Sequence, residues 1–150
     1  MPFLSGFYHL VWSTRNREAM IDEERETLLI RSIRSTCAEK RWDLYALGIM
    51  PDHIHVAMLF STNSSIAQVV QAIKVNSSHL VGRLTDAPDH IPFRWQTEYG
   101  VFLFHNERYS DVLSYVRNQK HHHASNTIWS ELELTDRPQH LRGNSLNISE

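Results

Sequence analysis

The sequence predicts an α+β fold, a ferredoxin-like antiparallel four-stranded sheet with helices on one face plus a C-terminal tyrosine-bearing helix. Three observations lead there. Four short segments alternate or run apolar over strand lengths, three longer ones repeat apolar residues at helical spacing, and their order is strand, helix, strand, strand, helix, strand, helix. Two split β-α-β units in that order pack as one antiparallel sheet with both crossover helices on the same side. The opposite face then needs solvent, a partner or a ligand, and the third helix is placed to cover part of it.

The first strand is "FYHLVWST" (7–14), alternating and rich in aromatic and β-branched residues. "IDEERETLLIRSIRSTCAEKRW" follows, with Asp22 as N-cap, acidic residues in the first turn, and Arg25, Leu28, Leu29, Ile33 and Cys37 at helical spacing. "DLYALGIM" (43–50) and "HIHVAMLF" (53–60) are separated only by Pro51 and Asp52, which predicts a tight hairpin. "STNSSIAQVVQAIKVNSSHLVGRL" offers Ser and Asn for a cap and then Ile66, Val69, Val70, Ile73, Leu80, Val81 and Leu84 at spacings of three, four and seven. Two prolines in "TDAPDHIPFR" end that helix. "TEYGVFLFH" (97–105) reads as the fourth strand, and "NERYSDVLSYVRNQKHHH" as the last helix, with Asn106 or Ser110 as cap. From Ala124 the chain turns polar and reads as a loosely held tail, so the core spans about 7–123 of one domain covering 1–150.

Composition excludes several classes. At 150 residues and 41% hydrophobic, the chain is sized for one domain with a real core, and no apolar run approaches the roughly 20 residues of a membrane span. No leader peptide is evident, and a lone Cys37 rules out an internal disulfide, so the cytoplasm is expected. A formal charge of −2 and a pI near 6.5 argue against coating nucleic acid through bulk positive charge. Any nucleic-acid contact must be local. The ten histidines are a high count, and the run at 121–123 is internal.

"GIMPDHIHVAMLF" carries the chemistry. Residues i and i+2 of a strand project to one face, so His53 and His55 lie side by side and can chelate a metal. Two neutral imidazoles suit Mn, Zn, Fe or Ni, and can hold Mg when oxygen fills the other positions. His-x-His alone is a common pattern and needs context. On the last helix Tyr115 and Gln119 are four apart and share a face bordering Val112 and Val116. A tyrosine there ordinarily packs, with its hydroxyl wet; beside a cation its phenolate becomes a feasible nucleophile.

Together these segments resemble a known family, the single-tyrosine HUH transposases, insertion-sequence enzymes related to the REP-associated tyrosine transposases. "HIH" within "MPDHIHV" matches the His-hydrophobic-His signature, "YVRNQ" the nucleophile helix, and "YHLVWSTRNR" and "FRWQTEYGVFLF" the flanking strands. The resemblance spans roughly residues 7–123. It implies that His53, His55 and Gln119 hold a divalent metal, Mg2+ or Mn2+, and that Tyr115 is the nucleophile. It further implies nicking and rejoining of single-stranded DNA, with hairpin ends as the expected partner, through a 5′-phosphotyrosine that conserves the phosphodiester energy. No nucleotide cofactor is needed, and no Walker motif is present. The family implies a homodimer, in which the tyrosine helix of one protomer can complete the metal site of the other.

Other residues admit two readings. Lys74, mid-helix, either meets a DNA phosphate or snorkels from the apolar face. Arg15 and Arg17, just past the first strand, either touch the DNA backbone or are solvated. Trp12, Trp95 and Tyr99 either stack on bases or pack inside. His121, His122 and His123 either assist at the site or form a solvated helix end. Two other functions fit the same residues: a hairpin-binding relative that does not cut, and a metal hydrolase with Glu98 or Asp52 as base.

Overall fold

The computed structural model describes residues 6–125. Strands β1 (Phe7–Ser13), β2 (Asp43–Ile49), β3 (His53–Leu59) and β4 (Gly100–Phe104) form one antiparallel sheet in the order β2-β3-β1-β4, the ferredoxin-like order. Helices α1 (Glu23–Lys40) and α2 (Ile66–Thr85) cover one face. The other face carries two short helices, α3 (Tyr109–Arg117) and α4 (Gln119–Ser125).

Local signals account for the element ends. The Asp22 side chain accepts from the Arg25 amide at 2.9 Å, and Glu23, Glu24 and Glu26 complement the positive end of α1. Arg41, left-handed at φ 58°, closes that helix. Ser65 and Gln68 form a reciprocal capping box at the start of α2. The β2–β3 hairpin turns on Pro51 and Asp52, whose carbonyls accept from Ile21 and Thr14, so the turn is tied to the segment after β1.

The larger core lies between the sheet and α1 and α2. Leu10 and Trp12 from β1, Ile54 and Val56 from β3, Leu29 and Ile33 from α1 and Ile73 from α2 are all fully buried there. Arg25 is buried as well: its guanidinium donates to Thr85 Oγ1, the Met20 carbonyl and Asp86, tying the start of α1 to the end of α2. Leu84, counted in the helical stripe, is instead exposed, and Leu80 lines an outer groove between α1 and α2.

Two elements depart from the sequence reading. The fourth strand is shorter than 97–105. Trp95 bridges Thr14, but the Gln96 and Glu98 carbonyls then turn to Lys74 Nζ at 2.8 and 3.0 Å, so the chain leaves the ladder until Gly100. The last helix is not continuous. A single 3-10 turn spans Asn106–Arg108, α3 begins after Arg108 without a side-chain cap, and Asn118, at φ −102° and ψ 29°, separates α3 from α4. Ser110 therefore lies inside α3 rather than capping it. Most of the polar tail falls outside the described residues; Ala124 and Ser125 close α4. No described helix is long and apolar enough to cross a membrane.

Lys74 is 9% exposed and sits over the Trp12 and Tyr99 rings. Burial pushes its ammonium down to about 8, partly opposed by the Glu98 carboxylate. The unfolded chain, near the ordinary 10.5, then binds this proton more tightly than the folded one. Stability contributed by this group therefore rises as pH climbs from about 8 towards 10.5 and is flat below that window. Urea unfolding should show wild type gaining about 2 kcal/mol relative to Lys74→Met between pH of about 7.5 and about 10. Parallel pH profiles for the two proteins would mean that the ammonium is solvated.

Candidate functional site

The site is built on the sheet face that α1 and α2 leave uncovered. Alternation sends Leu10, Trp12, Ile54 and Val56 to the large core and His9, His53, His55 and Ala57 to the opposite side. The register sets Val11 opposite His55 and Ser13 opposite His53, with Gly48 flanking His55 from β2. The His53 and His55 rings lie 5.1 Å apart, both buried. Each has its Nδ1 held by a neighbour. His53 Nδ1 is 2.6 Å from Asp52 Oδ1, and His55 Nδ1 is 2.8 Å from His9 Nε2. Nε2 is therefore the atom each ring would offer to a metal, with its orientation set by an outer partner and, at His53, the proton drawn to Nδ1 by the Asp52 carboxylate. The His53 hydrogen bond holds the Asp52 carboxyl below its ordinary range against the opposing effect of burial, and Arg17, 3.8 Å away, adds to the lowering.

Tyr115 comes to this face on α3. The residue is 2% exposed, and its ring stands 6.0 Å from the His55 ring at 85°. Gln119 follows across the Asn118 break, buried, with its Nε2 donating to the Tyr115 carbonyl at 2.8 Å. That bond orients the amide so that Oε1 is buried and has no hydrogen-bond partner among the described residues. A buried amide oxygen in that condition is costly unless something else binds it.

The helices come this close because the bed beneath them is small. Val112, Leu113 and Val116 pack on Phe7, Ala46 and Ala57. At Gly48 a Cβ would run into the Val116 carbonyl oxygen and the Gln119 Cγ. Outer ties add to this: Lys120 Nζ reaches both Glu26 oxygens at 2.8 and 2.9 Å, and Arg117 donates to the Tyr45 carbonyl.

The donor set fits a divalent cation. Ligand atoms of His53, His55 and His123 lie within 4.8 Å of one another, and the Gln119 oxygen adds a neutral donor. Cys37 is no competitor as nucleophile or ligand, since burial pushes its thiol up to about 11. Of the residues read as DNA contacts, Arg15 and Arg17 sit exposed in a 3-10 turn beside the site. Lys74 is turned inward, and in this conformation its ammonium joins α2 to the 96–98 segment rather than reaching outward. Trp12 is wholly core, and Trp95 donates its indole N–H to Ser77. Asp52 is bound to His53.

Sequence reasoning missed His9 and Gly48. Both left a signal. His9 alternates with Leu10 and Trp12 in the strand beside the His-x-His pair, and an isolated glycine within a strand marks a bulge or a close backbone approach. The place of His123 beside His53 had no comparable signal, because it depends on the break at Asn118.

Comparisons with known proteins give the family and bear on the fold. The family model described as transposase IS200 like matches residues 4–119, more than half of the chain, and the chain belongs to that family. The ISDra2 transposase TnpA of Deinococcus radiodurans is 27% identical over 67 residues, covering 45% of this chain and 48% of that protein. The chain thus spans about half the length of the curated relative it matches. Among solved structures, a candidate transposase from Deinococcus radiodurans aligns with a TM-score of 0.63 at 23% identity, covering 79% of this chain and 93% of that one. A REP-associated tyrosine transposase bound to a REP hairpin aligns with a TM-score of 0.62 at 17% identity, covering 82% and 72%. At these identities the two structures speak for the fold.

Gly48→Ala tests the bed directly. The added methyl should lift α3 and α4 and destabilise the protein by about 1–3 kcal/mol. In hydrogen exchange, residues 109–125 should exchange faster while β1 and β3 stay protected. Unaltered exchange in 109–125 would show that the helices tolerate a wider separation.

Proposed function

We propose, from the premise of membership in the IS200-like transposase family, that this chain nicks and rejoins single-stranded DNA through a 5′-phosphotyrosine on Tyr115. The observation that carries the reading is the placement of Tyr115 beside the His53–His55 pair, 6.0 Å from the His55 ring, with Gln119 one helical turn on. A divalent cation, Mg2+ or Mn2+, held by His53, His55 and Gln119, would neutralise charge on the scissile phosphate and make it more electrophilic.

The chain's own residues do the rest. Asp52 and His9 hold the two imidazoles in orientation, so the ligand atoms are in place before substrate arrives. Burial of Tyr115 against the sheet holds its phenol ring beside the histidine pair. Tyr115 Oη forms the new bond to phosphorus as the bond from phosphorus to the 3′ oxygen breaks. The phenolic proton leaves to solvent and the departing 3′ oxygen takes one up. The reverse attack, by a 3′-hydroxyl on the phosphotyrosine, joins strands without ATP. Arg15 and Arg17, exposed beside the site, would contact the DNA backbone.

A hairpin substrate is supported by the REP-associated neighbour, whose structure holds a REP hairpin. With a near-neutral chain, affinity must come from shape and a few local contacts. A homodimer is supported by the edge position of β4, where Leu103 is 70% exposed.

Incubation with labelled single-stranded hairpins and Mn2+ should give a denaturant-resistant protein–DNA adduct. Tyr115→Phe should bind DNA and fold as wild type but form no adduct, a loss of at least about a thousandfold. His53→Ala should lose metal binding and cleavage together. An adduct on Tyr115→Phe would move the nucleophile to Tyr109 or Tyr99, and cleavage without any adduct in wild type would establish the hydrolase.

A further inference from the structure

We propose that His123 is a ligand of the same metal centre, joining His53, His55 and Gln119, and that the three imidazoles make the site select a borderline divalent ion such as Mn2+, Co2+ or Zn2+ over Mg2+. The inference rests on the metal reading above and narrows it.

The break at Asn118 places His123. Because α4 restarts at Gln119, Gln119 and His123 stand one turn apart on the same helix face. That face looks at β3: the His123 ring is 4.9 Å from the His53 ring, and the donor atoms of His53, His55 and His123 lie within 4.8 Å of one another. Two nitrogens bound to one ion at about 2.1 Å each are at most about 4.2 Å apart. A small ring rotation therefore closes the set.

The other two histidines of the run are directed elsewhere. His122 lies against the Tyr115 ring at 4.7 Å, and His121 packs edge-on against His122 at 5.8 Å. His123 alone of the three joins the sheet pair. Its helix is held in place by the bed at Gly48 and by the Lys120–Glu26 pair, so the approach does not depend on a free helix end.

Ligand chemistry gives the selectivity. Mg2+ favours six oxygen donors and sheds water reluctantly, whereas imidazole nitrogen favours the later first-row ions. Two histidines and an amide oxygen leave a site that Mg2+ can share with phosphate and water. A third imidazole replaces an oxygen position with nitrogen and tips the balance towards Mn2+ and its neighbours.

The test uses the full chain without DNA. Cu2+ as a probe in pulsed electron paramagnetic resonance counts bound imidazoles, and calorimetry compares Co2+ with Mg2+. Wild type should show three imidazoles, and His123→Ala and the polar, similarly sized His123→Asn should each show two. In both variants Co2+ affinity should fall at least about tenfold and Mg2+ affinity by less than about threefold. Two imidazoles in wild type, unchanged Co2+ affinity in both variants, or an equal fall for both ions would overturn the proposal while leaving the His53–His55 centre intact. If His53→Ala binds both ions as wild type does, the metal centre itself is refuted, and this inference with it.

Discussion

The pairing of Val11 with His55 and of Ser13 with His53 is the constraint on which the rest of the site depends. β1 and β3 are the two central strands, and each is buried on both faces. Side chains along β1 and β3 alternate in an unbroken register, so a slip of one residue would exchange the faces. Leu10, Trp12, Ile54 and Val56 would then leave the large core, at about 1.5–3 kcal/mol for each such side chain. His9, His53 and His55 would enter it. The register is thus enforced by apolar residues that take no part in the chemistry, and the three imidazoles inherit their common face from it.

Much of this was legible because period two and helical spacing are local properties. His53 and His55 could be placed on one face from their spacing alone, Asp22 announced the start of α1, and Pro51 and Asp52 announced the hairpin. Other features depend on contacts between distant segments and leave weak local traces. The start of β4 is set by Lys74, more than twenty residues earlier in the chain, drawing carbonyls out of the ladder. Nothing in the spacing around Lys74 separates an inward ammonium from an outward one. The break at Asn118 occurs in a stretch with no proline or glycine, so the last helix reads as continuous and His123 reads as one of three equivalent histidines.

The two sides of the sheet do different work. Towards α1 and α2 the contacts are mostly apolar, with Arg25 and Lys74 as hydrogen-bonded exceptions. Towards α3 and α4 a smaller apolar patch shares space with buried polar groups, each of which costs free energy unless bonded. Asp52 answers His53, His9 answers His55, and the Tyr115 carbonyl answers half of the Gln119 amide. The remaining amide oxygen has no hydrogen-bond partner among the described residues. Departures of this kind from internal satisfaction collect where a chain does something besides fold.

The bed of Ala46, Gly48 and Ala57 sets an asymmetry in how this sequence can drift. On the side of α1 and α2, one branched aliphatic residue can replace another of similar volume and the neighbours can repack. On the other side Ala46, Gly48 and Ala57 are already at or near the smallest side chain available, and growth at Gly48 pushes against helix backbone. Neutral change is therefore more open under α1 and α2 than at these three positions, although neither alanine nor glycine there carries a group that could react.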